Sequence, residues 1–255
     1  MGTSLSVVIP AFNEADRLPA FLDRARNYLE GAGFDSYEVI VVDDGSRDAT
    51  ARLVQGRSES WDRLRLLGGS ENRGKGAAVR EGVLAAESDL ILFADADGAT
   101  PISEERLLRE AIEAGADLAV GSRLVGPRSL VDRAPHRDLL GRAFALAVRF
   151  VVPIGVRDPQ CGFKMFRRVI GKHLFQICSE DGYLFDLQIL AEAEKFGYRA
   201  SEVAVRWREI PGSKVRLVRD TWRMLHGLAR VRCSIERIAA DARPATQVTV
   251  FGLPG

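Results

Sequence analysis

Residues 1–123 alternate short β-branched runs with stretches of helical spacing, and this alternation restricts the fold more than any other feature. The runs lie at 4–10, 37–44, 64–68, 89–97 and 117–123, with helical patterning at 14–32, 47–57, 75–87 and 103–115. Strands separated by helices of this length build βαβ units, and hence an α/β fold with a mostly parallel sheet. Continuous apolar runs such as VIVV at 39–42 and LILFA at 90–94 suit strands buried on both faces.

Open parallel sheets bind ligands outside the carboxyl ends of their strands. Here those ends read Pro10-Ala11-Phe12-Asn13-Glu14, Asp43-Asp44-Gly45-Ser46 and Asp95-Ala96-Asp97-Gly98. Taken singly, Asp44 or Ser46 serves as a helix cap, and Glu14 as an acidic residue in a first helical turn. Three acidic strand ends on one rim exceed what stability requires and point to a ligand.

Beyond residue 123 the alternation weakens. A basic stretch at 123–149 holds six Arg against two Asp. RDPQCGFKMF at 157–166 follows, then helical patterning at 167–177 and 185–197 and a strand-like SEVAVRW at 201–207. A basic amphipathic helix is expected over 217–239, and a loose tail over 244–255. No domain linker interrupts the chain, so 1–243 is read as a single domain.

The 255-residue chain is long enough to bury a core without disulfides or a structural metal. Its three cysteines are far apart, which suits a reducing compartment. A net charge of +1 makes no general case for nucleic acid as a partner. The opening LSVVI is too short for a signal peptide and leads straight into Pro10. The apolar run at 139–156 is broken by Arg142, Arg149, Pro153 and Gly155. A cytoplasmic address is expected. His136, His173 and His226 lack metal-ligand spacing, and Trp61 and Cys161 receive no role.

Gly69-Ser70-Glu71-Asn72-Arg73-Gly74-Lys75 satisfies the phosphate-loop spacing G-x-x-x-x-G-K between a strand and a helix. The next residue, Gly76, stands where such a loop needs a Ser or Thr hydroxyl for Mg²⁺. This disfavours a P-loop nucleotide hydrolase, while Lys75 keeps a charge suited to a diphosphate.

Asp95-Ala96-Asp97 emerges from a buried strand into a turn. Mg²⁺ and Mn²⁺ prefer oxygen ligands and bind through one or two carboxylates together with substrate phosphates. With VVIPAFNE at 7–14, VVDDGSRDAT at 41–50, NRGKGAAVREG at 72–82 and DADG at 95–98, the sequence resembles family 2 glycosyltransferases of the Rossmann-like GT-A fold. GSR at 121–123, RDPQCGFKMF, Phe185-Asp186 and WREIPGSK at 207–214 resemble the polyprenyl-phosphate sugar synthases. Within these, ATP at 99–101 after DADG, QCGFK and the late GSK look more like the dolichyl-phosphate glucosyltransferase branch than the mannosyl branch.

The resemblance implies a nucleotide-sugar-binding half over 1–123 and an acceptor-binding half with interfacial helices over 124–243. Pro10, Ala11, Asn13 or Glu14, Asp43 and Asp44 would hold the nucleoside. Asp95, Ala96 and Asp97, with Lys75, would address the diphosphate, and Asp95, Asp97 and Gln160 the metal. Ser122 and Arg123 would receive an acceptor phosphate, joined by Arg206 and Lys214; Asp95, Asp97, Arg123 and Lys214 form the catalytic set. Structural alternatives stand beside these roles: Asp158 and Gln160 as loop hydrogen-bonders, Arg206 and Lys214 as solvated side chains, Asp186 as a helix-start residue.

The implied activity is metal-dependent, inverting transfer of glucose from UDP-glucose to a polyprenyl phosphate. GDP-mannose as donor, another acceptor, and a silent nucleotide-sugar binder are the alternatives. A lipid acceptor also implies docking at the cytoplasmic face of a membrane. Arginines at 216, 219, 223, 230 and 237 fall near one helical face, beside Val218, Trp222, Leu225 and Ala229.

Overall fold

The computed structural model describes residues 3–132, 152, 154–210 and 249–251. Strands β1 (Ser4–Ala11), β2 (Ser36–Asp44), β3 (Leu64–Gly69), β4 (Leu90–Ala94) and β5 (Leu118–Ser122) form where the apolar runs predict them. They alternate with helices α1 (Leu18–Leu29), α2 (Thr50–Ser58), α3 (Lys75–Ala85) and α4 (Glu105–Glu113). After two-residue β6 (Val131–Asp132) come β7 (Phe163–Arg167), α5 (Arg168–Ile177), α6 (Phe185–Lys195), β8 (Ala200–Ala204), β9 (Trp207–Arg208) and β10 (Thr249–Phe251).

Eight strands form one sheet in the order β10-β8-β5-β7-β4-β1-β2-β3, and β6 pairs with β9 separately. Every pairing in the large sheet is parallel except those of β7, which runs antiparallel to both β4 and β5. The period-two alternation of a strand explains the two cores. Val7, Ile9, Val39 and Val41 pack with Phe21, Leu22 and Ala25 of α1 and Leu108 and Ile112 of α4. Val8, Ile40 and Val42 face the other way, onto Val79 and Val83 of α3, Phe175 of α5 and Leu187 and Leu190 of α6. Pro10 lies past the last β1–β4 pair, Val8↔Phe93, so β1 has one neighbour where its amide hydrogen is missing.

β7 is absent from the sequence expectation. Its second residue, Lys164, is 1% exposed, and a lysine in a five-residue run disguises a buried strand. Thr249–Phe251, inside the stretch expected as a loose tail, ladders in parallel onto β8 at the sheet edge. The expected helix at 217–239, the run at 139–152 apart from Val152, and Lys214 lie outside the described residues.

The register places the site. Ala11 pairs with Asp43, Ala94 with Phe163, and Ser122 with Ala204, so the carboxyl ends of β1, β2, β4 and β5 share a rim that the start of β7 joins.

Candidate active site

The first two strand ends are locked together by short polar contacts. Asn13, at φ 53°, accepts the backbone N–H groups of Arg47 and Asp48 at 2.7 and 3.3 Å, and its own N–H donates to Ser46 Oγ at 2.8 Å. The Glu14 N–H donates to Thr50 Oγ1 at 2.7 Å. Asn13 therefore holds the rim in shape. Asp43 accepts the Ser46 N–H through Oδ2 at 3.1 Å, while its buried Oδ1 has no protein partner. A buried acceptor without a donor is costly, and a ligand N–H would complete it. Asp44 instead accepts the N–H groups of Arg73 and Gly74, 2.7 and 3.0 Å away, and fixes the loop ahead of α3. Burial pushes the Asp44 carboxyl up, partly opposed by those two hydrogen bonds.

The third strand end carries the charge. Asp95 Oδ1 lies 2.7 Å from Lys75 Nζ. Asp97 accepts the Ala99 N–H at 3.0 Å, and its Oδ2 is 3.8 Å from Arg17 Nη1. Burial, and then repulsion from Asp95, raise the Asp97 carboxyl above the usual range. Arg17 is also bidentate with Glu14, at 2.7 and 2.6 Å, and so joins the nucleoside-side carboxylate to the Asp-x-Asp turn. Sequence reasoning missed Arg17, although its place three residues after Glu14, immediately before α1, is a usable signal.

Under this turn lies a second layer of charge. Lys164 Nζ is 2.6 Å from Asp186 Oδ1 and donates to the Cys161 carbonyl at 2.6 Å. Lys75 and Lys164 both sit over the Phe93 ring, at 5.2 and 5.7 Å. The turn into β7 touches the site directly, since the Asp95 N–H donates to the Gly162 carbonyl at 2.9 Å. A Cβ on Gly162 would stand 1.9 Å from Asp95 Oδ2, so the glycine of QCGFK is required by close approach to that carboxylate.

The near-miss phosphate loop has a different use. The Asp44 carboxylate occupies the Arg73 and Gly74 amides, and the Ala77 N–H donates to the Asp181 carbonyl at 3.2 Å. Loop 180–182 thus covers the amino end of α3, where a P-loop would hold phosphate, and the hydrolase alternative falls. A Cβ on Gly76 would lie 2.4 Å from the Glu180 carbonyl oxygen and 2.8 Å from Phe185 Cβ. Gly76→Ser, which completes the phosphate-loop pattern, is therefore expected to destabilise the protein by about 1–3 kcal/mol. Thermal unfolding should show the loss, with no nucleoside triphosphatase activity gained.

On the acceptor side, Ser122 is buried and its Oγ accepts the Leu124 N–H at 3.1 Å. Arg123 is clamped by Asp158, with Nε and Nη2 2.8 and 2.7 Å from its oxygens, and lies 5.6 Å over the Trp207 ring. Glu202, fully buried, accepts the N–H groups of Arg157 and Asp158 at 2.9 Å each and so presents the Asp158 carboxylate. Burial lowers the Arg123 pKa, but Asp158 outweighs this and raises it. Arg206 is drawn elsewhere: its N–H and Nε donate to Glu104 at 2.9 and 2.7 Å, and its side chain is 62% exposed. Gln160 is half-buried in the loop leading to Gly162.

No cluster of three or more His, Cys, Asp or Glu capable of holding a metal occurs among the described residues. No helix among them is long and apolar enough to cross a membrane.

A family model described as glycosyl transferase family 2 matches residues 6–175. The chain is 41% identical over 224 residues to the dolichyl-phosphate beta-glucosyltransferase of Drosophila melanogaster, covering 83% of this chain and 69% of that protein. It is 38% identical to the Homo sapiens protein of the same name, with 83% and 69% covered. Against the Saccharomyces cerevisiae protein the identity is 33%, with 89% and 74% covered. Among solved structures, Mycobacterium tuberculosis glucosyl-3-phosphoglycerate synthase in complex with Mn²⁺ and UDP-glucose matches with a TM-score of 0.63. That match covers 91% of this chain and 79% of the other at 20% identity, a likeness of fold.

Proposed function

The chain belongs to glycosyl transferase family 2 and is a glycosyltransferase, and we propose that it moves glucose from UDP-glucose to a polyprenyl phosphate. The observation that carries this reading is the Asp95–Asp97 turn, flanked by Lys75 and Arg17 on the rim where β5 also ends, at Ser122 and Arg123. Such a site suits two anionic substrates that must meet. Its named relatives, 33–41% identical, are dolichyl-phosphate beta-glucosyltransferases.

Asp43 Oδ1, the orphaned acceptor, would take a base N–H, with Pro10 and Ala11 walling the pocket. Glu14, held by Arg17, would face the sugar of the nucleoside. A divalent cation, Mg²⁺ or Mn²⁺, fits the donor set of two hard carboxylates that repel one another, Asp95 and Asp97, with Gln160 on the adjoining loop. When bound, it supplies positive charge for the leaving diphosphate. Arg123, oriented by Asp158 and Trp207, would receive the acceptor phosphate beside Ser122, with Lys214 as a further cation for it.

The acceptor needs no dedicated base. A lipid phosphate is already anionic at neutral pH, so one of its oxygens attacks the anomeric carbon. The bond from that carbon to the diphosphate oxygen breaks, and its electron pair leaves with UDP. The protein's work is to orient both partners and offset their repulsion. A single in-line displacement turns an α-linked donor into a β-linked lipid phosphate sugar. Because that acceptor resides in a bilayer, the reaction belongs at a membrane surface, and the basic stretch at 216–237 is the candidate for docking to its cytoplasmic face.

Incubation with Mg²⁺, polyprenyl phosphate and either UDP-glucose or GDP-mannose tests the reading. Lipid-linked hexose from UDP-glucose is the expected product, detected by mass spectrometry. Product from GDP-mannose alone would overturn the donor assignment, and no product from either would overturn the acceptor.

A further inference from the structure

Asp95 carries its own counter-ion. Lys75 Nζ stands 2.7 Å from Asp95 Oδ1, with Phe93 5.2 Å beneath it. Lys164 does not share this duty, because it is 1% exposed and spent on Asp186 and the Cys161 carbonyl. Arg17 is spent on Glu14 and reaches Asp97 only at 3.8 Å. Four carboxylates (Glu14, Asp95, Asp97 and Asp186) thus meet three cations (Arg17, Lys75 and Lys164). A divalent cation entering alone would leave this group with excess positive charge. One entering with a nucleoside diphosphate would not.

We infer that Lys75 is a built-in counter-ion that makes the Asp95–Asp97 turn take its divalent cation together with the nucleoside diphosphate rather than alone. The inference rests on the nucleotide-sugar reading above. Lys75 acts by its charge beside Asp95, and its lost partner is replaced when the cation arrives with anionic oxygens that Lys75 can turn to. Removing that charge leaves four carboxylates against two cations, a balance suited to a lone divalent ion. Lys75 then ceases to enforce the pairing.

Equilibrium dialysis of Mn²⁺ tests this without measuring turnover. UDP is placed on both sides of the dialysis membrane, so that chelation by free nucleotide cancels. The wild-type protein should bind Mn²⁺ at least about tenfold more tightly with UDP than without it, ~1.4 kcal/mol. Lys75→Met, or Lys75→Gln if the methionine variant folds poorly, should bind Mn²⁺ alone about tenfold more tightly than wild type. Lys75→Arg, which keeps the charge, should behave like wild type. If the neutral variants bind Mn²⁺ alone no better than wild type while wild type still shows the UDP dependence, the counter-ion role is overturned and the nucleotide-sugar reading stands. If wild type binds no Mn²⁺ even with UDP, that reading falls and the inference falls with it.

Discussion

Replacing Asp97 with Asn is expected to lower kcat/KM for sugar transfer by at least about a hundredfold while leaving the fold intact. The side chains are nearly isosteric, and the amide oxygen still accepts the Ala99 N–H now held at 3.0 Å. What disappears is a negative charge that burial and the neighbouring Asp95 disfavour. Stability should therefore move the other way. Folded Asp97 keeps its proton to higher pH than the unfolded chain does, so its ionisation weakens the fold as pH rises through the carboxylate range. Asn removes that decline. Near-neutral melting should show a variant at least as stable as wild type, with activity lost. A variant that melts early, or one that keeps wild-type turnover, contradicts the role given to Asp97.

Asp158→Asn should act through Arg123. The wild-type carboxylate is 3% exposed, bonded to Arg123 through its backbone N–H and two side-chain nitrogens, and presented by Glu202. Burial pushes the Asp158 carboxyl up, but the Arg123 charge and hydrogen bonds overcome this and hold it below the usual range. That stability is present above the unfolded carboxylate pKa and is lost as pH falls through the folded one. Breaking a buried pair by neutralising one partner costs about 3–5 kcal/mol. Arg123 is 20% exposed and can regain some water, so the low end is expected, about 3 kcal/mol, or roughly 6–12 °C in melting temperature. At temperatures where the variant is folded, the KM for the lipid phosphate should rise well beyond the KM for UDP-glucose, because the freed guanidinium no longer points one way. Equal changes in both constants would make Asp158 a purely structural residue.

The first five strands and four helices are legible in the sequence because apolar runs and helical spacing are local signals. The carboxylate rim is legible for the same reason: Asp43, Asp95 and Asp97 end strands whose direction the pattern already gives. Their partners are not. Arg123 meets Asp158 across 35 residues, and Arg206 meets Glu104 across 102. Arg206 therefore reads as a free anion-binding arginine until the fold brings Glu104 to it. Lys164 conceals β7 because a strand interior is expected to be apolar, and Asp186, on a later helix, together with the Cys161 carbonyl makes the lysine tolerable there. Asn13 and Asp44 carry the motif yet spend their hydrogen bonds on the backbone of neighbouring loops. Motif residues thus divide into those that shape the rim and those that face the ligand, a division set by contacts between distant segments.

The central claim is a single displacement in which the lipid phosphate itself attacks the anomeric carbon. The configuration of the product reports on it most directly. Lipid-linked glucose made from UDP-glucose should be isolated and its anomeric proton coupling measured by nuclear magnetic resonance. The account predicts a β-linked glucosyl phosphate. An α-linked product would require a second displacement or a different attacking group, and would contradict it.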